Sequence, residues 1–283
     1  MATPIKFGTD GWRAIIADDY TVDNVMRVAE ATARFMKQHK MKKAVIGHDC
    51  RFGGTLFVST TARVLGAYGI KCHIATDFVS TPMVSLGVVK LKADLGVVIT
   101  ASHNPKEYNG YKAYWDDGAQ MVPPHDKNVI REVEKIGSVD EVKWKGGEQN
   151  IEIIGKALDE AYVKMVKGLS VYPEVIARHR DLKIVYTPIH GTGIMLVPDV
   201  LKAFGFANVT IVTEQSQPDG NFPTVVYPNP EERETMSHGL KLAEQLVQLA
   251  VNRDLQLKAR VAAGPAANIE RIDNQQNIAL RNG

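Results

Sequence analysis

The chain has 283 residues, of which 45% are hydrophobic and 23% charged, a balance that suits a soluble globular protein of one or two domains. A formal net charge of +2, with the basic residues scattered, argues against a nucleic-acid-binding surface, and no apolar run approaches the roughly 18 residues of a membrane span. Cys50 and Cys72 offer no disulfide framework and the N-terminus lacks the apolar region of a signal peptide, so a cytoplasmic protein with neither nucleic-acid nor membrane partners is expected.

Strand-like and helix-like periods alternate along the chain. Residues 6–13 read as a turn ahead of a helix. Thr21 then caps a segment whose Val22, Val25, Met26, Ala29, Ala33 and Met36 fall on one helical face. A strand over 43–49, a helix over 56–68 ended by Gly69, and a strand over 70–75 form a β-α-β unit. A short apolar segment over 83–91 leads to a strand at 95–99, whose β-branched content suits a sheet covered on both faces, and 128–136 offers a closing helix. The glycine- and charge-rich stretch 137–150 breaks the pattern and marks a domain boundary. Beyond it come a helix at 157–166, a strand at 182–186, a helix at 194–204, a strand at 209–212 and a helix at 235–249.

The expected fold is therefore two consecutive α/β domains with mixed, mostly parallel sheets flanked by helices. The second is incomplete, because two strands fall short of the three or more that an independent sheet generally needs. The boundaries read as a first domain over 1–138, a linker over 139–155, a second domain over 156–250 and a divergent tail over 251–283.

The chemistry concentrates in residues 97–112, VVITASHNPKEYNGYK, where Ser102 and His103 follow directly on the apolar strand. Loops at the carboxyl ends of such strands are where α/β proteins place ligands. A serine hydrolase would want a G-x-S-x-G elbow, and this chain offers A-S-H-N-P. Neighbouring side chains on an extended chain point to opposite sides, which places His103 poorly for deprotonating Ser102. Pro105 and Asn109-Gly110 predict a turn that brings Lys112 back toward the serine. A serine near a histidine and a lysine suits a phosphoryl group, whose transfer depends on positioning and charge neutralisation. A polar turn without function is the competing reading.

Two further segments bear on the choice: FGTDGWR, ending at Arg13, and GHDCR, which places Asp49 and Arg51 after the second strand. Together with TASHNP and YNGYK, they resemble the α-D-phosphohexomutase family over roughly residues 1–250. The resemblance implies a four-domain enzyme of which this chain is the N-terminal half. It interconverts hexose 1-phosphate and hexose 6-phosphate through a phosphoserine and a hexose 1,6-bisphosphate intermediate, which also serves as activator. Ser102 then matches the phosphorylated serine, and His103 and Lys112 its neighbours in proton transfer. Arg13, Asn104 and Lys112 match phosphate-binding positions, and Asp49 and Arg51 a supporting pair. A phosphosugar is the implied partner. Arg13 and Lys112 could equally be solvated surface charges, Asp49 a loop cap and His103 a backbone-bonded ring.

The same resemblance implies Mg²⁺, held by three aspartates of a D-x-D-x-D-R loop and a phosphoserine oxygen, which leaves Ser102 as the one metal contact to carry over. No such loop exists in this chain. A loose alignment puts Gly264, Ala266 and Asn268 at the aspartate positions. The loop at 187–193 (TPIHGTG) follows a strand and opens a helix, so its backbone amides could face an anion, and the family places a similar loop near its cleft, but a structural turn is the favoured reading. The motifs at 218–223 (PDGNFP) and 229–232 (NPEE) read as turns and a helix start. The functional reading is thus a phosphohexomutase in truncated form with weak or no activity. An inactive fragment or phosphate-binding module is one rival, and a hydrolase using Ser102 the other.

Overall fold

A computed structural model describes residues 5 and 11–252. The chain divides into two compact units, Met1–Met236 and Ser237–Gly283; of the second, residues 237–252 are described and are helical.

The first unit is built on a six-stranded sheet. Its strands are β1 (Trp12–Ile15), β2 (Lys43–His48), β3 (Lys71–Ala75), β4 (Leu95–Ile99), β5 (Tyr108–Tyr114) and β6 (Ile151–Ile154), in the order β1-β5-β4-β2-β3-β6. The four strands from β4 to β6 run parallel, while β5 lies antiparallel to both β4 and β1. Helices α1 (Val22–Gln38), α2 (Gly54–Ala67) and α4 (His125–Glu134) cover one face, and α3 (Thr81–Leu91) covers the other. The covered β4 is buried along its whole length. Thr21 caps α1 as its sequence predicts, accepting the Asn24 N–H at 3.2 Å, and Val25, Val28, Ala29, Phe35 and Met36 form the buried stripe.

A smaller parallel pair, β7 (Lys183–Tyr186) and β8 (Asn208–Ile211), forms the second sheet; α5 (Ala157–Gly168) and α6 (Pro173–Arg178) precede it, α7 (Val197–Phe204) connects its two strands, and α5 packs on α7. Leu158, Tyr162 and Val163 of α5 pack on the α3 side of the large sheet.

Four departures from the sequence reading lie in the large sheet and its covering helices, and α6 is a further helix that the reading did not contain. The stretch 12–15 is a strand, not part of a turn. The apolar segment before β4 is the full helix α3, with Pro82 in its first turn where a missing N–H costs nothing. Asn109-Gly110 lies inside β5 instead of turning the chain. The stretch read as a linker contains β6, which pairs with β3 and extends the sheet by one strand. Among the described residues no helix is long and apolar enough to cross a membrane.

Candidate active site

β2 and β4 are parallel neighbours, so their carboxyl ends deliver Asp49 and Thr100 side by side. The Thr100 hydroxyl donates to Asp49 Oδ2 at 2.5 Å and accepts the Ser102 N–H at 2.9 Å. Burial pushes the Asp49 carboxyl above the usual carboxylate range, while the Thr100 bond and the Arg51 charge pull the other way.

Ser102 has φ 57°, in the left-handed region that a residue with a side chain enters at a cost of about 1–3 kcal/mol. The surrounding loop must hold it there. Asn104 N–H closes the turn onto the Ala101 carbonyl at 3.1 Å. Arg51, 2% exposed, does the rest. Its Nη2 donates to the carbonyls of Ser102 at 2.8 Å and Asn104 at 2.6 Å, and its Nη1 to those of Pro105 at 2.7 Å and Tyr108 at 2.9 Å. Asp49 Oδ2 lies 3.4 Å from Arg51 Nε, and Asp49 Oδ1 accepts the Arg51 N–H at 2.9 Å. The Arg51 cation is therefore occupied by backbone and by Asp49.

The left-handed turn also changes the relation of Ser102 to His103. An extended chain would separate the two side chains, whereas here Ser102 Oγ lies 3.5 Å from His103 Nδ1, the outer limit of a hydrogen bond. Both residues are exposed, so a ligand can reach them.

Arg13, on β1, donates to Asn104 Oδ1 at 2.7 Å, which brings two of the expected phosphate-binding residues together at the loop. Gly110, on β5 opposite Arg13, lets the neighbouring backbones close in on both sides. A β-carbon there would lie 2.5 Å from the Thr100 carbonyl oxygen and 2.8 Å from that of Trp12. Lys112 is placed differently from a surface charge. It sits on β5 opposite Val98, two positions deeper into the sheet than Gly110, and is 9% exposed.

Two loops of the second half of the chain, 187–193 and 218–223, converge on the same place. His190, φ 56° and buried, has its Nδ1 3.1 Å from the Gln217 carbonyl and its Nε2 3.0 Å from Thr224 Oγ1. Its own carbonyl accepts the Cys50 thiol at 3.2 Å and the Asp219 N–H at 3.0 Å. A β-carbon on Gly220 would lie 2.6 Å from the Cys50 carbonyl oxygen, and the Phe222 ring centre is 5.2 Å from Arg51 Cζ. No spacing in the sequence pairs PDGNFP with GHDCR; the glycine of the first motif was the one available signal. Burial pushes the Cys50 thiol up to about 12, which leaves it a poor nucleophile.

Among the described residues no group of three or more His, Cys, Asp and Glu side chains could hold a metal ion. Gly264, Ala266 and Asn268, the positions aligned with the metal loop, lie outside the described residues, as do residues 6–10 of the FGTDGWR segment.

The family model for phosphoglucomutase/phosphomannomutase alpha/beta/alpha domain I matches residues 4–140, and that for domain II matches residues 160–257. The chain belongs to the α-D-phosphohexomutase family. It is 34% identical to a phosphoribomutase of Saccharomyces cerevisiae, over 85% of this chain and 42% of the relative. It is 33% identical to a phosphoglucomutase of Staphylococcus haemolyticus, over 86% and 45%, and 35% identical to the human glucose 1,6-bisphosphate synthase, over 85% and 42%. Among solved structures, a Thermus thermophilus protein assigned as a phosphomannomutase superposes with a TM-score of 0.72 at 27% identity, covering 86% of this chain and 52% of that one. A family protein from Burkholderia thailandensis shares the fold, with a TM-score of 0.66 at 21% identity, covering 83% and 49%. The chain thus spans about half the length of the phosphohexomutases it matches.

Proposed function

We propose that this chain carries the phosphoryl-accepting half of a sugar-phosphate mutase, with Ser102 as the acceptor. The observation that carries the reading is the left-handed turn at Ser102: an exposed hydroxyl at the carboxyl end of β4, held by bonds to backbone instead of by a catalytic base. That arrangement suits phosphoryl transfer, in which positioning matters more than a strong nucleophile.

In the forward step, the phosphorylated Ser102 gives its phosphoryl group to a hydroxyl of a hexose 1- or 6-phosphate. The P–Oγ bond breaks, a P–O bond to the sugar forms, and the sugar hydroxyl loses its proton. His103, 3.5 Å from Oγ, is the candidate to take that proton and hand it to the departing Oγ, which is left as the free hydroxyl. The bisphosphate then turns round and returns its other phosphoryl group to Ser102. Arg13 and Asn104 orient phosphate oxygens at the loop, with Lys112 adding positive charge from within the sheet, while Asp49 and Arg51 keep the loop in shape. Hexose 1,6-bisphosphate is the activator. The substrate is a phosphosugar, and the relatives carry names for pentose as well as hexose chemistry.

Mg²⁺ would supply charge neutralisation at the phosphoryl group. The described residues offer no carboxylate cluster for it, and the aligned tail positions are Gly264, Ala266 and Asn268, so no step is assigned to the metal. That deficit favours phosphate binding with weak or no turnover as the second reading.

Intact-mass measurement after incubation with glucose 1,6-bisphosphate tests the acceptor. One added phosphoryl group is expected, absent in Ser102→Ala; labelling that survives the substitution removes Ser102 from the role.

A further inference from the structure

We propose that Phe222, in the second α/β domain, is a positioning residue for the Ser102 loop in the first, acting through Arg51. The inference rests on the reading of Ser102 as phosphoryl acceptor only for its catalytic consequence; the contact chain stands on geometry.

Both Nη atoms of Arg51 are committed in the guanidinium plane to four carbonyls within residues 102–108. A guanidinium is a rigid planar fork, so the tilt of that plane sets the path of the loop. Its edges are taken by carbonyls and by Asp49, which leaves a face, and the Phe222 ring lies over the guanidinium carbon at 5.2 Å. A cation over an aromatic face is attracted by the ring's quadrupole, more strongly where water is excluded, and Phe222 is 5% exposed.

The ring is itself fixed. Phe222 N–H donates to the Asp219 carbonyl at 3.1 Å, Asp219 N–H donates to the His190 carbonyl, and the same carbonyl receives the Cys50 thiol next to Arg51. Gly220 seats this loop directly on the Cys50–Arg51 backbone, where any side chain would prop it away. Phe222 reaches Ser102 through a single intermediary, Arg51, and that intermediary supports the left-handed φ that exposes the hydroxyl. The second domain therefore contributes to the shape of the phosphoryl-acceptor loop without touching the reacting atoms.

Hydrogen–deuterium exchange on the full chain tests this, comparing Phe222→Leu, which keeps an apolar side chain but removes the ring, with Phe222→Tyr, which keeps the ring. In the leucine variant, amides of residues 101–108 should exchange roughly three- to tenfold faster while those of α1 are unchanged. The tyrosine variant should restore the slow exchange. Phosphoryl uptake from glucose 1,6-bisphosphate should show a lower maximal rate in the leucine variant at an unchanged half-saturating concentration. Wild-type exchange at 101–108 in Phe222→Leu overturns the inference, and so does acceleration spread equally through α1, which would mark general destabilisation. Faster exchange confined to 101–108, in a chain that takes up no phosphoryl group even unaltered, supports the positioning contact and removes the acceptor reading instead.

Discussion

Arg51 donates to the carbonyl of Ser102 at 2.8 Å, so the cation that neighbours the serine in space acts on its backbone and not on its hydroxyl. Three more carbonyls of the same loop share that guanidinium, and their distribution over residues 102–108 makes one buried side chain the frame for an exposed segment.

Replacing Arg51 by lysine should unfold that frame. An ammonium on a flexible stem cannot reach four carbonyls at once, and the orphaned carbonyls must find water. Arg51→Lys is expected to lower stability by about 2–4 kcal/mol, measured by urea denaturation, and to expose the loop. Limited trypsin digestion gives the local readout, with faster cleavage after Lys106. An unchanged cleavage rate would mean that the turn at Asn104 suffices on its own.

Gly110 supplies a second test of close packing. A methyl group at this position meets two carbonyl oxygens at 2.5 and 2.8 Å, and neither can retreat without breaking strand pairing. Gly110→Ala should cost about 1–3 kcal/mol and lower the melting temperature by several degrees. Neutral behaviour would show that β1 can move off β5 freely.

His73 gives a pH dependence. It lies on β3 between Val45 and Glu152, 6% exposed, with both ring nitrogens lacking hydrogen bonds and Glu152 Oε2 at 3.6 Å from Nδ1. Burial holds its pKa below the ordinary histidine value against the raising influence of Glu152, with Lys71 and Lys43 adding to the depression. The unfolded chain thus binds the proton first as pH falls through about 6.5. Stability should be full above that value and decline below it, by less than one proton's worth of slope. In His73→Phe this part of the decline should vanish in urea titrations between pH 7 and pH 5; an identical slope in both proteins would assign the effect to other groups.

Magnesium affinity tests the aligned tail positions. A Mg²⁺ site draws on carboxylate oxygens, and Gly264, Ala266 and Asn268 offer one neutral amide among them. Calorimetric titration of the unaltered chain should show no tight Mg²⁺ binding, and aspartate at all three positions should raise the affinity. Tight binding by the unaltered chain, or no gain in the triple variant, would remove the tail from the metal-loop position.

The sequence is most legible where one face of an element is apolar and long enough to show a period. α1 and β4 belong to this class, since seventeen residues of helical stripe and a run of five buried residues leave little alternative. β5 was hidden because Asn-Gly is a strong turn signal by itself. Its glycine serves another purpose, the approach of the Thr100 and Trp12 carbonyls, and that is visible only once three strands are in register. β6 was hidden by its length and by its glycine-rich surroundings. At the candidate site, Ser102, His103, Arg13 and Asn104 do meet, whereas the contribution of Gly220 and Phe222 could not be read because it depends on two segments about 170 residues apart.

β6 bears on where the two family domains can be cut apart. A break near residue 140 would strip Ile151–Ile154 from β3 and leave bare the backbone N–H and C=O groups on the edge of Cys72–Ala75 that faces away from β2. An unpaired strand of that kind is a template for pairing with another molecule. His73 would lose its neighbour Glu152 in the same stroke. A first-domain fragment meant to stay monomeric therefore has to run through Ile154, carrying with it a strand that lies between the two family matches.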